Sequence, residues 1–421
     1  MKLSVLLIFV ALTISQAQTN KNYEVLVAKA SLLHLQKKYQ DAATYYNKAF
    51  KIQSPDALTA YKAAGVYSLE KESEKSFRYL QMALEKGWTE ADWLVADSYF
   101  DFIRKTDSEK WKAIELEAYK KEAEYSKTLK LPSLRKEINN MMLRDQQLRF
   151  KKAQTEDNSL LINIQKEIHE ADLDNLNKAK KIVEQYGWPK ISQIGKDGQN
   201  NLWLVVQHAD QDVGFQQQAL AAMEKLKESK ELNLENYAFL YDRIQCNLNY
   251  KQLYGTQVSW TNHGEASQFR PMIKEYRVDE RRKKLGMESL EVYSLIYGFS
   301  YKSISLQESE QKDAVYHKQV QDLINSAKSA YKNKEFQKAY DDYNTASTFL
   351  GGMTDEDNFE AAVLFSKIAA DNLDEKYKSI SLDFLELLNL RKSLNRKKLL
   401  AESAFRILYK EPRWDKINNS F

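Results

Sequence analysis

Histidine is scarce in this chain, five in 421 residues, and His208 stands where one is least expected. It follows the apolar run "LWLVV" and opens the acceptor-rich stretch "HADQD". An imidazole titrates near neutrality, so a carboxylate that orients the ring and raises its pKa makes it a general acid or base. Carboxylates stand in comparable settings elsewhere. In "LPSLRKEINNMMLRDQQLRFKK" the residues Leu134, Ile138, Met141, Met142 and Leu148 form an apolar stripe at helical spacing, and Asp145 falls inside it. In "LENYAFLYDRIQCNL" Tyr237, Leu240, Tyr241 and Ile244 share one face, beside Asp242 and Arg243. "VDERRKKLG" sets Arg281 and Arg282 between Val278 and Leu285. An unpaired buried charge costs several kcal/mol, so these groups are expected on or beside buried faces with partners, the natural ones being each other.

Two readings stay open. In the first, the groups form an ion-pair network or a ligand site without catalysis, in an interaction or ligand-binding module of the cell envelope. In the alternative, a hydrolase or lyase uses His208 as general acid or base, with Asp145 or Asp242 orienting its ring. The arginines then clamp an anionic small molecule in bidentate fashion. Thr256 in "YGTQ" offers a hydroxyl, and Gly255 lets backbone approach closely. A metal site is disfavoured, because His208 and Asp210, two residues apart, could ligate together only if the helix ends at His208, and no second histidine stands near another motif. No cofactor is expected: GxSxG, HExxH, CxxC, GxxxxGK[ST] and GxGxxG are all absent. Cys246, the single cysteine, excludes an intramolecular disulfide and reads as an inert buried thiol.

The elements that must hold these residues are mostly helices. Twelve Gly and five Pro leave few turn residues, which favours long helices with short connections. With 43% hydrophobic and 29% charged residues the chain is globular, and 63 basic against 59 acidic residues give no footprint for nucleic acid. The basic runs "RRKK" and "RKSLNRKK" read as solvated helix faces. At the N-terminus Lys2, the apolar "LSVLLIFVALTI" and Ser15-Gln16-Ala17 read as a signal peptide, residues 1–17. Export to the periplasm or medium is expected, with no membrane span after its removal.

A repeat flanks the centre on both sides. Ala30, Leu33, Ala42, Tyr46 and Ala49 recur as Ala64, Tyr67, Ser76, Leu80 and Ala83, each pair 34 residues apart. That is the tetratricopeptide period. "KEFQKAYDDYNTA" from Lys334 matches "KKYQDAATYYNKA" from Lys37, and the cap-like segments pair Phe405 with Phe100 and Trp414 with Trp111. The expected organisation is mainly α: tetratricopeptide-like arrays over 18–130 and 301–421 flank an α-rich central domain, 131–300, with one small β-hairpin. Such arrays hold a peptide or protein in their concave groove, or serve as padding against the central domain. The hairpin is expected from "QLYGTQVSW" and "FRPMIKEY".

Within the centre, "LRKEINNMMLRDQQLR", "GWP", "LVVQHAD", "YAFLYDR", "QLYGTQV" and "VDERRKKLG" occur in that order. Together they resemble a bacterial family known only as domain of unknown function 6624, over roughly Leu134 to Leu290. The resemblance implies that Asp145, Gln146, Arg149, Gln207, His208, Asp210, Asp242, Arg243, Tyr254, Gly255, Thr256, Gln257, Arg281 and Arg282 occupy its motif positions. It implies no reaction. The polar stretch between Lys151 and Asp172 departs from the family pattern and is expected to extend helices.

Overall fold

With so few glycines, many helix ends must turn on other residues, and lysine takes that role. The computed structural model describes residues 21–372 and 374–421; the expected signal peptide lies outside them. A helix over residues 21–35 (α1) leads into α2 (Tyr39–Ile52), and α3 (Ala57–Leu69) into α4 (Ser73–Glu85). Each pair turns through a lysine in the left-handed region, Lys37 (φ 59°) and Lys71 (φ 61°), which stand one repeat apart. At each turn the next residue's N–H reaches back five residues, Lys38 to Leu33 and Glu72 to Tyr67, the Schellman pattern that satisfies a helix's last carbonyls. Asp56 caps α3 by accepting from the Thr59 N–H at 2.8 Å. Beyond α4 come α5 (Ala91–Ala96), a 3-10 turn, α6 (Asp101–Thr106) and α7 (Ser108–Ser126).

The central helices are α8 (Pro132–Gln154), α9 (Asn158–Tyr186), α10 (Ile191–Gln207), α11 (Val213–Glu224) and α12 (Leu234–Asn247). They share one apolar core running from Leu134 to Met287. Gly187 ends α9 at φ 65°, two residues before Pro189, and Asp212 caps α11 through the Phe215 N–H. The segment "GKDG" is a kink inside α10 instead of a turn before a new helix. Gly195 there takes φ 76° and ψ 171°, and a Cβ on it would lie 2.7 Å from the Tyr125 hydroxyl.

The fold is mainly α with one small two-stranded antiparallel sheet among the described residues. Its strands are β1 (Val258–Trp260) and β2 (Ala266–Phe269), so the second strand precedes most of the expected "FRPMIKEY". Pro271 explains the difference, since it lacks the N–H a ladder needs. Short α13 (Val278–Lys284) and α14 (Leu290–Tyr293) follow.

The C-terminal part comprises α15 (Leu306–Lys332), α16 (Phe336–Ser347), α17 (Asp355–Asn372), α18 (Glu375–Leu390), α19 (Arg396–Ala401) and α20 (Pro412–Asn418). It reproduces details of the N-terminal part. Lys334 turns α15 into α16 at φ 62°. Ser76 donates its hydroxyl to the Ala64 carbonyl and Ser381 to that of Ala362, both at 2.8 Å. Phe100 and Trp111 lie 6.0 Å apart between ring centroids, Phe405 and Trp414 5.9 Å. The repeat positions Ala30, Ala42, Tyr46, Ala49, Ala64, Tyr67, Ser76, Leu80 and Ala83 are buried, and Leu33 is half-buried. Arg391, its side chain fully buried, docks the C-terminal helices on the centre through the carbonyls of Leu248 and Asn249.

Candidate functional site

Helix α8 sets the site. Its first residue is Pro132, whose missing N–H suits the first turn. Its apolar stripe buries Ile138, Met141 and Met142. One turn further the stripe ends at Asp145, 5% exposed, which lies against Arg149 on the following turn. Arg149 donates from Nε to both Asp145 oxygens, at 2.9 and 3.0 Å, and from Nη2 to Asp172 of α9 at 2.9 Å. Gln146 adds a bond to Asp145 at 2.8 Å.

Asp145, Arg149 and Asp172 form one wall of a pocket of about 320 Å³, with Asn175 of α9, His208 and Arg243 on other sides; Gln146, Gln207 and Asp210 do not line it. α10 ends at Gln207 and His208 is its capping residue. Its position is therefore exposed, not inside the apolar face that precedes it. The pocket walls still strip water from the ring, which lowers the imidazole's pKa, and Arg243 and Arg149 push it the same way. Asp145 and Asp210 oppose this without overcoming it, so the ring is a neutral acceptor at pH 7. That is the reverse of the carboxylate-raised histidine the sequence suggests.

Arg243 does not reach into the pocket free-handed. It forks onto Asp210, with Nε on Oδ1 at 2.8 Å and a second, shorter contact from Nη2 to Oδ2. Asn247 also donates to Asp210 at 2.9 Å. Burial raises the Asp210 carboxyl, but the Arg243 and Asn247 bonds outweigh it and hold it below its ordinary range. Across the pocket, Asp172 is raised, burial outweighing the pull of Arg149. The Gln207 Oε1 is buried without a partner.

Asp242, Thr256, Tyr254, Gln257, Arg281 and Arg282 are not part of this pocket. Asp242 is fully buried and holds the loop after α12. It accepts the backbone N–H groups of Leu253 (2.7 Å), Tyr254 (3.0 Å) and Thr256 (3.0 Å), and the Thr256 hydroxyl at 3.0 Å. Burial raises its pKa against those four donors. Arg281 donates to the carbonyls of Leu253 and Ile273, and Arg282 to those of Glu288 and Tyr254. Gln257 donates to the Thr256 hydroxyl at 3.1 Å. The arginine pair thus grips backbone, where the sequence suggested an anion clamp or a carboxylate partner. Gly255 takes φ 71°, and a Cβ there would lie 2.9 Å from Leu290.

A third polar cluster joins α8 and α10 to the N-terminal helices, and sequence reasoning missed it. Arg135, 1% exposed, donates to Asp197 at 2.8 Å, to Glu122 at 3.0 Å and to the Thr89 carbonyl at 2.7 Å. Asn201 bonds both Glu90 and Asn139 at 3.0 Å, and Asn139 bonds Asp197 at 3.0 Å. Two carboxylates meet one guanidinium with Glu90 nearby, and burial, then Asp197, pushes Glu90 up to about 7. The only signal in the sequence was an arginine flanked by Leu134 and Ile138. Its partners lie up to 62 residues away.

The span from α8 to just past α14 carries both the pocket and the Asp242 loop. Residues 132–303 match the model of a family of unknown function (DUF6624). The match takes in Asp145, His208 and Asp242 and leaves both flanking helical parts outside it, so Glu90 and Glu122 reach into the DUF6624 segment from beyond its edge. No curated protein and no solved structure matches the chain. Among the described residues, no group of three His, Cys, Asp or Glu side chains is placed to hold a metal ion, and no helix is long and apolar enough to cross a membrane. Cys246 is buried, and that burial pushes its thiol up to about 12, far from a reactive thiolate.

Proposed function

We propose that the protein is an exported ligand-binding module whose site is the pocket between α8, α9 and the end of α10, and that its ligand carries a cationic amine. The carrying observation is the state of the arginines. Arg149 already faces Asp145 and Asp172, and Arg243 already faces Asp210. With His208 neutral, Asp145 and Asp172 in the pocket wall, together with Asp210 behind Arg243 and outside the lining, outnumber the two guanidinium groups, so the cluster as a whole has an excess negative charge. An amine is attracted there, whereas an anion must first displace a bonded carboxylate. The leader-like N-terminus supports export. The 34-residue recurrence supports tetratricopeptide-like arrays, which on this reading brace the central pocket and offer a groove to a peptide or protein.

One observation favours the enzyme alternative: a neutral, solvent-reached imidazole is the form a general base needs. With Asp242 and Thr256 outside the pocket, that reading rests on His208 and Asp145 alone. Titration calorimetry with alaninamide and with inorganic phosphate tests the binding reading. Alaninamide is expected to bind, and Asp172→Asn to weaken it about tenfold, the loss of one charge contact worth roughly 1.4 kcal/mol. Binding of phosphate with no binding of alaninamide would overturn it.

A further inference from the structure

A second cavity, about 280 Å³, lies on the other flank of the same two turns of α8. It is built differently. Helix α5 contributes Trp93, the 3-10 turn after it Tyr99, and α8 Leu143, Gln146, Gln147 and Phe150. Phe150 is 41% exposed, although it is a large apolar side chain, and it lines this cavity together with Trp93 and Tyr99. One residue lines both cavities: Arg149. Its Nε and Nη2 are engaged by Asp145 and Asp172, and its side chain is 40% exposed. Its third nitrogen, Nη1, can donate to a neutral carbonyl, while the two carboxylates already on this guanidinium disfavour a further carboxylate.

We propose that the two cavities are one bipartite site for the amino-terminal end of a peptide. This rests on the reading of the first pocket as an amine site. The terminal ammonium sits with Asp145, Asp172 and neutral His208. A backbone carbonyl crosses at Arg149, and an aromatic or large aliphatic side chain fills the cavity of Trp93, Tyr99 and Phe150. The size agrees. A helix with its side chains is about 10 Å across, and an extended peptide covers that in about three residues at roughly 3.3 Å each. The N-terminal helices then have a direct part in recognition, since Trp93 and Tyr99 lie outside the DUF6624 match.

The test is calorimetry on the full chain with alanyl-glycyl-phenylalaninamide, alanyl-glycyl-alaninamide and the N-acetylated form of each. Burying a phenyl ring is expected to make the phenylalanine peptide bind about tenfold tighter or more than the alanine peptide. Phe150→Ser, at a partly exposed position that leaves the core intact, is expected to erase most of that ratio while the alanine peptide binds as before. Acetylation is expected to abolish binding of both. Equal binding of the two free peptides, or a ratio that Phe150→Ser does not change, overturns the bipartite site while leaving the amine pocket standing. If neither free peptide binds, the amine reading fails and the bipartite site with it.

Discussion

Arg149 and Asp145 lock together across one turn of α8, with Nε within 3.0 Å of both carboxylate oxygens. The Arg149 charge is thereby answered from within its own helix. The pair also separates two carboxylates that look alike in the sequence. Asp145 has a partner that is 40% exposed and keeps Asp172 as a second contact. Asp242 has only buried backbone and hydroxyl donors.

Urea denaturation distinguishes them. Asp145→Asn is expected to lower stability by about 1 kcal/mol or less, as for a solvent-screened pair. Asp242→Asn sets an amide NH2 against inward-pointing N–H groups and is expected to remove about 3 kcal/mol. Equal losses from the two variants would mean that Asp145, too, is chiefly a structural anchor.

The cluster between the N-terminal helices and the DUF6624 segment makes stability depend on pH in a stated direction. Unfolded, Glu90 releases its proton near 4.5; folded, among Asp197, Glu122, Arg135 and Asn201, it holds it to about 7. Between those values the folded chain binds more protons. The contribution is therefore full below pH 4.5 and is lost as pH rises through 7, on the order of 3 kcal/mol at most. Glu90→Gln keeps the Asn201 contact without the charge. The stability difference between the variant and the wild type is expected to grow from pH 5 to pH 8, measured as urea midpoints.

The lysines at left-handed turns carry a backbone penalty that glycine avoids. Lys37→Gly and Lys71→Gly are each expected to stabilise the protein by about 0.5–1 kcal/mol, after allowing for glycine's greater freedom in the unfolded chain. Thermal unfolding of the two single variants and the double variant checks both size and additivity. Destabilisation would show that the lysine stems pack more than they strain.

The repeat was legible because it rests on residue size. Ala42, Tyr46 and Ala49 and their counterparts fill fixed spaces between helices, so burial and spacing coincide. Asp145, His208 and Arg243 were legible as polar groups next to apolar faces and Arg149 through the family resemblance, and the fold brings them to one pocket. The same rule grouped Asp242, Arg281 and Arg282 with them, although these lie outside the pocket. A charge in an apolar stripe announces a buried partner without saying whether that partner is a side chain or a carbonyl. His208 misled for a related reason: helix α10 stops one residue before it, and the apolar run says nothing about where the last turn ends. Arg135 escaped notice because its carboxylates come from α7 and from the α10 kink, two elements whose approach no local pattern encodes.

The charge of the ligand is read most directly from His208 itself. Binding and protonation are reciprocal, so a cation held beside the ring must lower its pKa and an anion must raise it. The measurement is an NMR titration of the His208 ring between pH 4 and 7, alone, with saturating alaninamide and with inorganic phosphate. The expected result is a free-protein pKa below the ordinary 6.5, a further fall with alaninamide, and no change with phosphate. An unmoved titration with alaninamide and a rise with phosphate would contradict the account.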